Sequence, residues 1–144
     1  MELFSAFVTQ PALEDLTGET ANLSDFRPLV GNVPLLLVAL AANWTLAAFG
    51  EEMVYRGYLM DRVALLGAGT PTAWVVSLLA VSAVFGWGHV DQGLTGQLQA
   101  GIDGLLLGLL YLGNRRNLTL PIVAHGVSNT LAFLLIYLGH YPGV

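Results

Sequence analysis

VPLLLVALAANWTLAAFGEEMVYR, residues 33–56, decides the fold. The chain carries no charge from Pro28 to Gly50, then places Glu51, Glu52 and Arg56 within six residues. A membrane span needs about 20 predominantly apolar residues, and Val33 to Phe49 is rich in Leu, Ala and Val. This stretch reads as a span that flows into a helix carrying Glu51 to Arg62. Ionisable groups inside a bilayer cost at least about 2.5 kcal/mol each, so those that remain there are candidates for function.

The pattern recurs along the chain. Thr72 to Gly88 is a second uncharged run. Gln97 to Leu112 is a third apolar stretch, whose one charge is Asp103, with Gly101, Gly104 and Gly108 along it; Gly104 and Gly108 form a small-xxx-small pair that lets another helix approach closely. Leu118 to Leu138 is a fourth, with Pro121 in its first turn, where a missing N–H is harmless. Gly67, Gly69 and Pro71, then Asp91-Gln92-Gly93, then Asn114 to Asn117 separate the runs as polar or glycine-rich turns. The expected fold is all-α: a polytopic transmembrane helix bundle of about four spans. Residues 1–30 form an amphipathic or irregular N-terminal lead-in, and residues 31–140 form the core.

Composition supports a membrane protein. Residues are 55% hydrophobic and only 10% charged, with mean hydropathy +0.67; soluble domains carry about 25% charged residues. There is no lysine, and the arginines are Arg27, Arg56, Arg62, Arg115 and Arg116. No basic stripe exists to grip nucleic acid. The absence of cysteine excludes a thiol nucleophile, a disulfide scaffold and Cys-ligated zinc. Met1 to Glu19 shows neither the basic start nor the compact apolar stretch of a signal peptide. With alternating spans, Arg56, Arg62, Arg115 and Arg116 fall on one side, which the positive-inside rule makes cytoplasmic. The acidic lead-in, with Glu2, Glu14, Asp15, Glu19 and Asp25, then lies outside. The expected location is the cell membrane, multi-pass.

Three polar groups sit at helical spacing. In EEMVYR, Glu52 and Arg56 are four apart and can pair on one face. Glu51 points about 100° away, free of that guanidinium, which suits a general base; the alternative is a charge cluster at a helix end. In FGWGH, residues 85–89, Phe85 and His89 share a face and the glycines let another chain approach; the alternative is an interfacial histidine beside Trp87. In HGVSN, residues 125–129, His125 and Asn129 are four apart and both can donate hydrogen bonds to an oxyanion; the alternative is a polar pair that glues helices.

Together EEMVYR, FGWGH and HGVSN resemble the three motifs EExxxR, FxxxH and HxxxN/D of the CPBP family, which takes in Rce1-like CAAX proteases and bacteriocin-processing and immunity proteins. RGYL after the first motif, GLLLGLLYL, and LPIVAH before the last add to the likeness, which covers roughly residues 30–138. The resemblance implies an intramembrane endopeptidase, a hydrolase. Glu51 and His89 would activate the attacking water, and His125 and Asn129 would stabilise the oxyanion. Glu52 and Arg56 would brace the first motif, with Tyr55 and Phe85 in support. Asp103, in a span position that is usually apolar in the family, ranks behind these.

No metal cofactor is favoured: there is no HExxH pair. Were zinc used, as in a metalloprotease, Glu51, His89 and His125 would be its ligands. The expected partners are the lipid bilayer and a peptide or protein substrate. The lead-in is too short for a further span and loop, so the chain reads as a minimal member, or as one that draws helices from a partner or a second copy. The alternative function is a non-catalytic membrane immunity or binding protein with the same helical core. Simple alternation of spans also creates a conflict: His89 and His125 would differ in depth by roughly 15–20 Å. One site would require tilted or broken helices.

Overall fold

A computed structural model describes residues 5–142 and 144, and among these every regular element is helical. Glu2, counted above with the acidic lead-in, lies outside the described residues. A π-turn at Ser5–Thr9 runs into α1 (Gln10–Thr17), which stops at Gly18 in a left-handed conformation, φ 74°. A short 3₁₀ segment, Ser24–Leu29, leads to α2 (Val33–Leu66), a single helix of 34 residues. Asn32 starts α2 by accepting the Leu35 N–H at 3.1 Å, with a proline inside the first turn. At 1.5 Å per residue α2 is about 51 Å long, well beyond a bilayer core of about 30 Å. Glu51 therefore falls near its middle. Asn43–Glu51 and Met53–Met60 are wound as π-helix, a form that collects at functional sites.

Two helices follow as a hinged pair. Thr70 caps α3 (Pro71–Trp87) by accepting the Ala73 N–H at 3.3 Å. A 3₁₀ turn, Val90–Gln92, joins it to α4 (Gly93–Gly113), and the pair is bent by 61° at this break. Small residues let the two arms meet. A Cβ on Gly86 would lie 2.6 Å from the Gln97 carbonyl and 3.1 Å from the Gly101 backbone. Further along, Met60, Leu78, Val81 and Tyr111 bury one another, and Ser77 Oγ donates to the Met60 carbonyl at 2.7 Å, tying α3 to α2.

The last helix, α5 (Thr119–Tyr137), runs antiparallel to α2. Leu118 packs at Gly57, Trp44 covers Gly126, and Gly31 N–H reaches the Tyr137 carbonyl at 3.0 Å. Asn43 Nδ2 donates to the Gly126 carbonyl at 2.9 Å and to Thr130 Oγ1 at 3.3 Å. Arg116, in a left-handed turn with Arg115, stacks on Trp74 at 4.9 Å, so the α2–α3 and α4–α5 loops share one end of the bundle.

Exposed Leu37, Val38, Leu46, Val75, Leu79 and Leu109 cover the outer faces. Such a surface is stable in hydrocarbon and not in water. Four helices stand where four spans were expected. Of these, α2 and α5 are each long and apolar enough to cross, and the bent α3–α4 pair qualifies only as one unit, giving two or three spans. α3 has only 17 residues, and Gln97, Gln99 and Asp103 lower the apolarity of α4.

The lead-in packs on α4. Thr17 Oγ1 and Thr95 Oγ1 lie 2.6 Å apart, Thr95 also donates to the Glu19 carbonyl at 2.7 Å, and Glu19 Oε1 accepts the Leu94 N–H at 3.0 Å. The α3–α4 contact carries a test. Gly86→Ala should cost about 1–3 kcal/mol by forcing the arms apart. Gly113→Ala, with nothing within 4 Å of its added carbon, should stay within about 0.5 kcal/mol of wild type. Unfolding in detergent, followed by tryptophan fluorescence, reads both.

Candidate active site

α2 brings Glu51, Glu52, Tyr55 and Arg56; the α3–α4 break brings Phe85 and His89; α5 brings His125 and Asn129. Glu51, Phe85, His89, His125, Asn129 and Asp103 all line one cavity of about 290 Å³. The depth conflict is resolved by the break. His89 sits just beyond the end of α3, at the elbow, where it meets the middle of α2 instead of a far membrane surface.

Glu52 is the most constrained member. Its side chain is fully buried, and Oε1 accepts from Arg56 Nη1 at 2.8 Å and from His125 Nδ1 at 2.9 Å. Oε2 has no hydrogen-bond partner among the described residues. Arg56 is equally buried and uses Nη2 to donate to the Gly104 carbonyl at 2.9 Å. A side chain at position 104 would crowd both Arg56 Nη2 and the Phe85 ring, which explains the glycine there. Arg56 is thus an internal counter-ion. It does not join Arg62, Arg115 and Arg116 as a loop charge, which corrects the expectation of four orienting arginines.

Phe85 packs against four site residues. Its ring lies 4.6 Å from the Arg56 guanidinium, 5.0 Å edge-on from Tyr55, 4.9 Å from His89 and 6.2 Å from His125. It fills the space beneath the polar groups and keeps water from Arg56.

The histidine tautomers follow from their partners. His89 Nδ1 faces the Phe85 carbonyl at 2.8 Å. A carbonyl only accepts, so Nδ1 carries the proton, and Nε2 of the neutral ring keeps a lone pair. His125 Nδ1 faces the Glu52 carboxylate, so it too carries the proton, and its Nε2 lies 4.0 Å from Glu51 Oε2. Glu51 keeps about a third of its side-chain surface open to the cavity, whereas Glu52 has none. The two adjacent carboxylates therefore have separate surroundings, as their spacing suggested.

Over residues 33–131, from the first residue of α2 into α5, the sequence matches the family model described as type II CAAX prenyl endopeptidase Rce1-like. The chain belongs to the Rce1-like family. Comparisons with curated proteins and with solved structures give no match. Membership in the Rce1-like family makes this a protein of a protease, hence hydrolase, family and agrees with helices apolar enough to cross a membrane.

Among the described residues no three His, Cys, Asp or Glu side chains are disposed to share a metal ion. Both imidazole Nδ1 atoms are engaged and each Nε2 is left free, while Glu52 is committed to Arg56 and His125.

Asp103 accepts from Gln99 Nε2 at 3.1 Å and from Ser5 Oγ of the lead-in at 3.0 Å. Three contributions were not read from the sequence. Asn43 is buried and ties α2 to α5; a lone amide inside a charge-free span was its available signal. Leu23 and Phe26 of the lead-in line the cavity, and nothing in their local sequence marks them. The Glu52–His125 contact joins residues 73 apart, which no spacing rule reaches.

Removing one partner from the buried cluster should be severe. Glu52→Gln leaves the Arg56 charge buried without a counter-ion and should cost about 3–5 kcal/mol. The double variant Glu52→Leu with Arg56→Met should recover at least half of that loss. Equal losses for the single and double variants would show that the pair is not a unit. Unfolding midpoints in detergent decide it.

Proposed function

We propose that the chain is an intramembrane endopeptidase that hydrolyses a peptide bond by direct water activation, with Glu51 as general base. The observation that carries this reading is the convergence of Glu51, His89, His125 and Asn129 on a single cavity. Residues 31–140 form the protease core in this reading, and Ser5, Leu23 and Phe26 of the lead-in line its cavity. Membership in a family of CAAX prenyl endopeptidases supports a peptide or protein substrate presented at the bilayer.

The chemistry follows from the donors and acceptors. A water held between Glu51 and His89 Nε2 gives its proton to Glu51 as its oxygen attacks the scissile carbonyl carbon. The carbonyl π electrons move onto oxygen. Asn129 Nδ2 donates to that oxyanion in any protonation state, whereas His125 Nε2 donates only when the ring is an imidazolium. Glu52, on the far side of the ring, accepts from Nδ1 and fixes the ring's orientation, the role a buried carboxylate plays behind a catalytic histidine. Collapse of the intermediate breaks the C–N bond, and the departing amine takes the proton held by Glu51.

Glu51→Gln should lower kcat by about 10²–10⁴-fold, and Asn129→Ala by about 10²–10³-fold. His89→Ala should also lose activity while remaining folded, whereas His125→Ala should lose activity and, by removing a partner of buried Glu52, stability as well. Cleavage of membrane-associated peptides in liposomes, with and without a chelator, provides the measurement. Wild-type rates in all four variants would sink the reading, and loss of activity on chelation would replace direct water activation with metal chemistry, zinc first. Reduced abundance of the variants with no cleavage by wild type would favour the immunity or binding role.

We also propose a multi-pass arrangement with the Arg62 and Arg115–Arg116 loops in the cytoplasm and the lead-in outside. The cysteine-free sequence makes this easy to test. In intact cells a membrane-impermeant maleimide should label Ser24→Cys and spare Arg115→Cys; the reverse pattern would invert the topology.

A further inference from the structure

One ionisable group in the cavity takes no part in the proposed hydrolysis. Asp103, on α4, lines the same cavity as Glu51 and His125. Its Oδ1 accepts from Ser5 Oγ at 3.0 Å, and its Oδ2 accepts from Gln99 Nε2 at 3.1 Å. Both donors are neutral, and each uses only one lone pair of the oxygen it meets. Because the Gln99 amide nitrogen must face the carboxylate, its oxygen is fixed on the other side. That Oε1 is buried and has no hydrogen-bond partner among the described residues.

The result is a carboxyl acceptor beside an unsatisfied amide acceptor, in a cavity whose described lining includes no arginine. The two histidines that line it are engaged elsewhere through Nδ1, with Phe85 and Glu52. A carboxylate at membrane depth is expensive unless paired, and an unpaired buried amide oxygen adds to that cost. Among the described residues neither acceptor has a lysine or arginine partner. The approach to the cavity has the matching sign. Leu23, Phe26 and Gln92 line it, and exposed Asp25 and Asp91 stand next to them in the chain. The described part of the lead-in carries Glu14, Asp15, Glu19 and Asp25 against Arg27 alone. Such a field draws cationic ligands.

We propose that Asp103 and Gln99 form a subsite for a lysine or arginine side chain of the peptide substrate, close to the scissile bond. The subsite rests on the endopeptidase reading for its use, but its binding can be measured separately. The substrate would then be a membrane-associated peptide with a basic residue beside the cleaved bond.

The test uses a set of otherwise identical apolar peptides with Lys, Arg, norleucine or Glu at each position in turn. Wild-type full-length protein in liposomes is assayed for cleavage, and Glu51→Gln for equilibrium binding. At one position the basic peptides should be preferred over norleucine by about tenfold or more, the range of one charge-assisted hydrogen bond. Asp103→Asn should bring that ratio to within about twofold of unity. Gln99→Lys, which supplies an internal cation to Asp103, should abolish the preference by a second route and covers the case in which Asp103→Asn does not fold.

Cleavage without a charge preference, or a preference that survives both variants, overturns the subsite and leaves the peptidase reading intact. Asp103-dependent binding of basic peptides without any cleavage supports the subsite and overturns hydrolysis. Binding that is indifferent to charge, without cleavage, overturns both.

Discussion

A carboxylate sealed from water between Arg56 and His125 organises the molecule. Glu52 and Arg56 come from α2, His125 from α5, the carbonyl that takes the second Arg56 nitrogen from α4, and the ring beneath the guanidinium from the end of α3. Helices in a bilayer gain little from the hydrophobic effect, because lipid tails are as apolar as leucine side chains. Packing between small residues and buried polar contacts must hold them together instead. The Glu52 cluster supplies one contact to every long helix. It does so where leaving the charges unpaired is far costlier than in water, so each helix is fixed in depth and rotation.

That constraint shapes the cavity. With His125 Nδ1 held by Glu52, the other ring nitrogen is turned toward Glu51. With His89 Nδ1 held by a carbonyl of its own helix end, its Nε2 is available to the cavity. Two histidines from distant parts of the chain thus present the same atom, each oriented by an acceptor that cannot donate in return. On the proposed reading, this division separates a carboxylate that orients from a carboxylate that reacts. The closed environment of Glu52 and the open one of Glu51 are what distinguish two residues that are adjacent and chemically identical.

Much of this was legible locally. The Glu52–Arg56 pair follows from i,i+4 spacing, and the separate direction of Glu51 follows from one residue of helical rotation. The four helices follow from apolar runs between polar or glycine-rich turns. What spacing could not give was anything that depends on how one helix lies against another. His125 was legible as a polar residue on a helix face, but its carboxylate partner is 73 residues away. The span count comes out coarser, at two or three candidate spans, for a related reason. Thr72 to Gly88 and Gln97 to Leu112 look like two independent spans by composition. Gly86, Gly101 and the break at His89 let them fold as a hinged pair, and that hinge removes the depth conflict that independent spans create. The lead-in was read as an amphipathic or irregular segment. Its contribution to the cavity wall arises from contacts to Thr95 and Asp103 that local turn signals do not encode.

Cavity size limits how a peptide could be presented on the proposed reading. About 290 Å³ lies at the lower edge of ordinary ligand pockets, about 300–1,000 Å³. It holds the scissile bond with one or two flanking side chains and excludes a helical segment, whose diameter is about 10–12 Å with side chains. A substrate must therefore enter extended, with its backbone hydrogen-bonding groups open. Exposed backbone of that kind is unstable in lipid and is tolerated only against protein or within a polar cavity. Ser5, Leu23 and Phe26 place the lead-in along one wall of that cavity, where Phe26 rests against Phe133 of α5, so access for an extended segment depends on that contact. The segment that sequence alone left as a preamble is therefore the part of the fold most directly placed to govern which peptides reach Glu51.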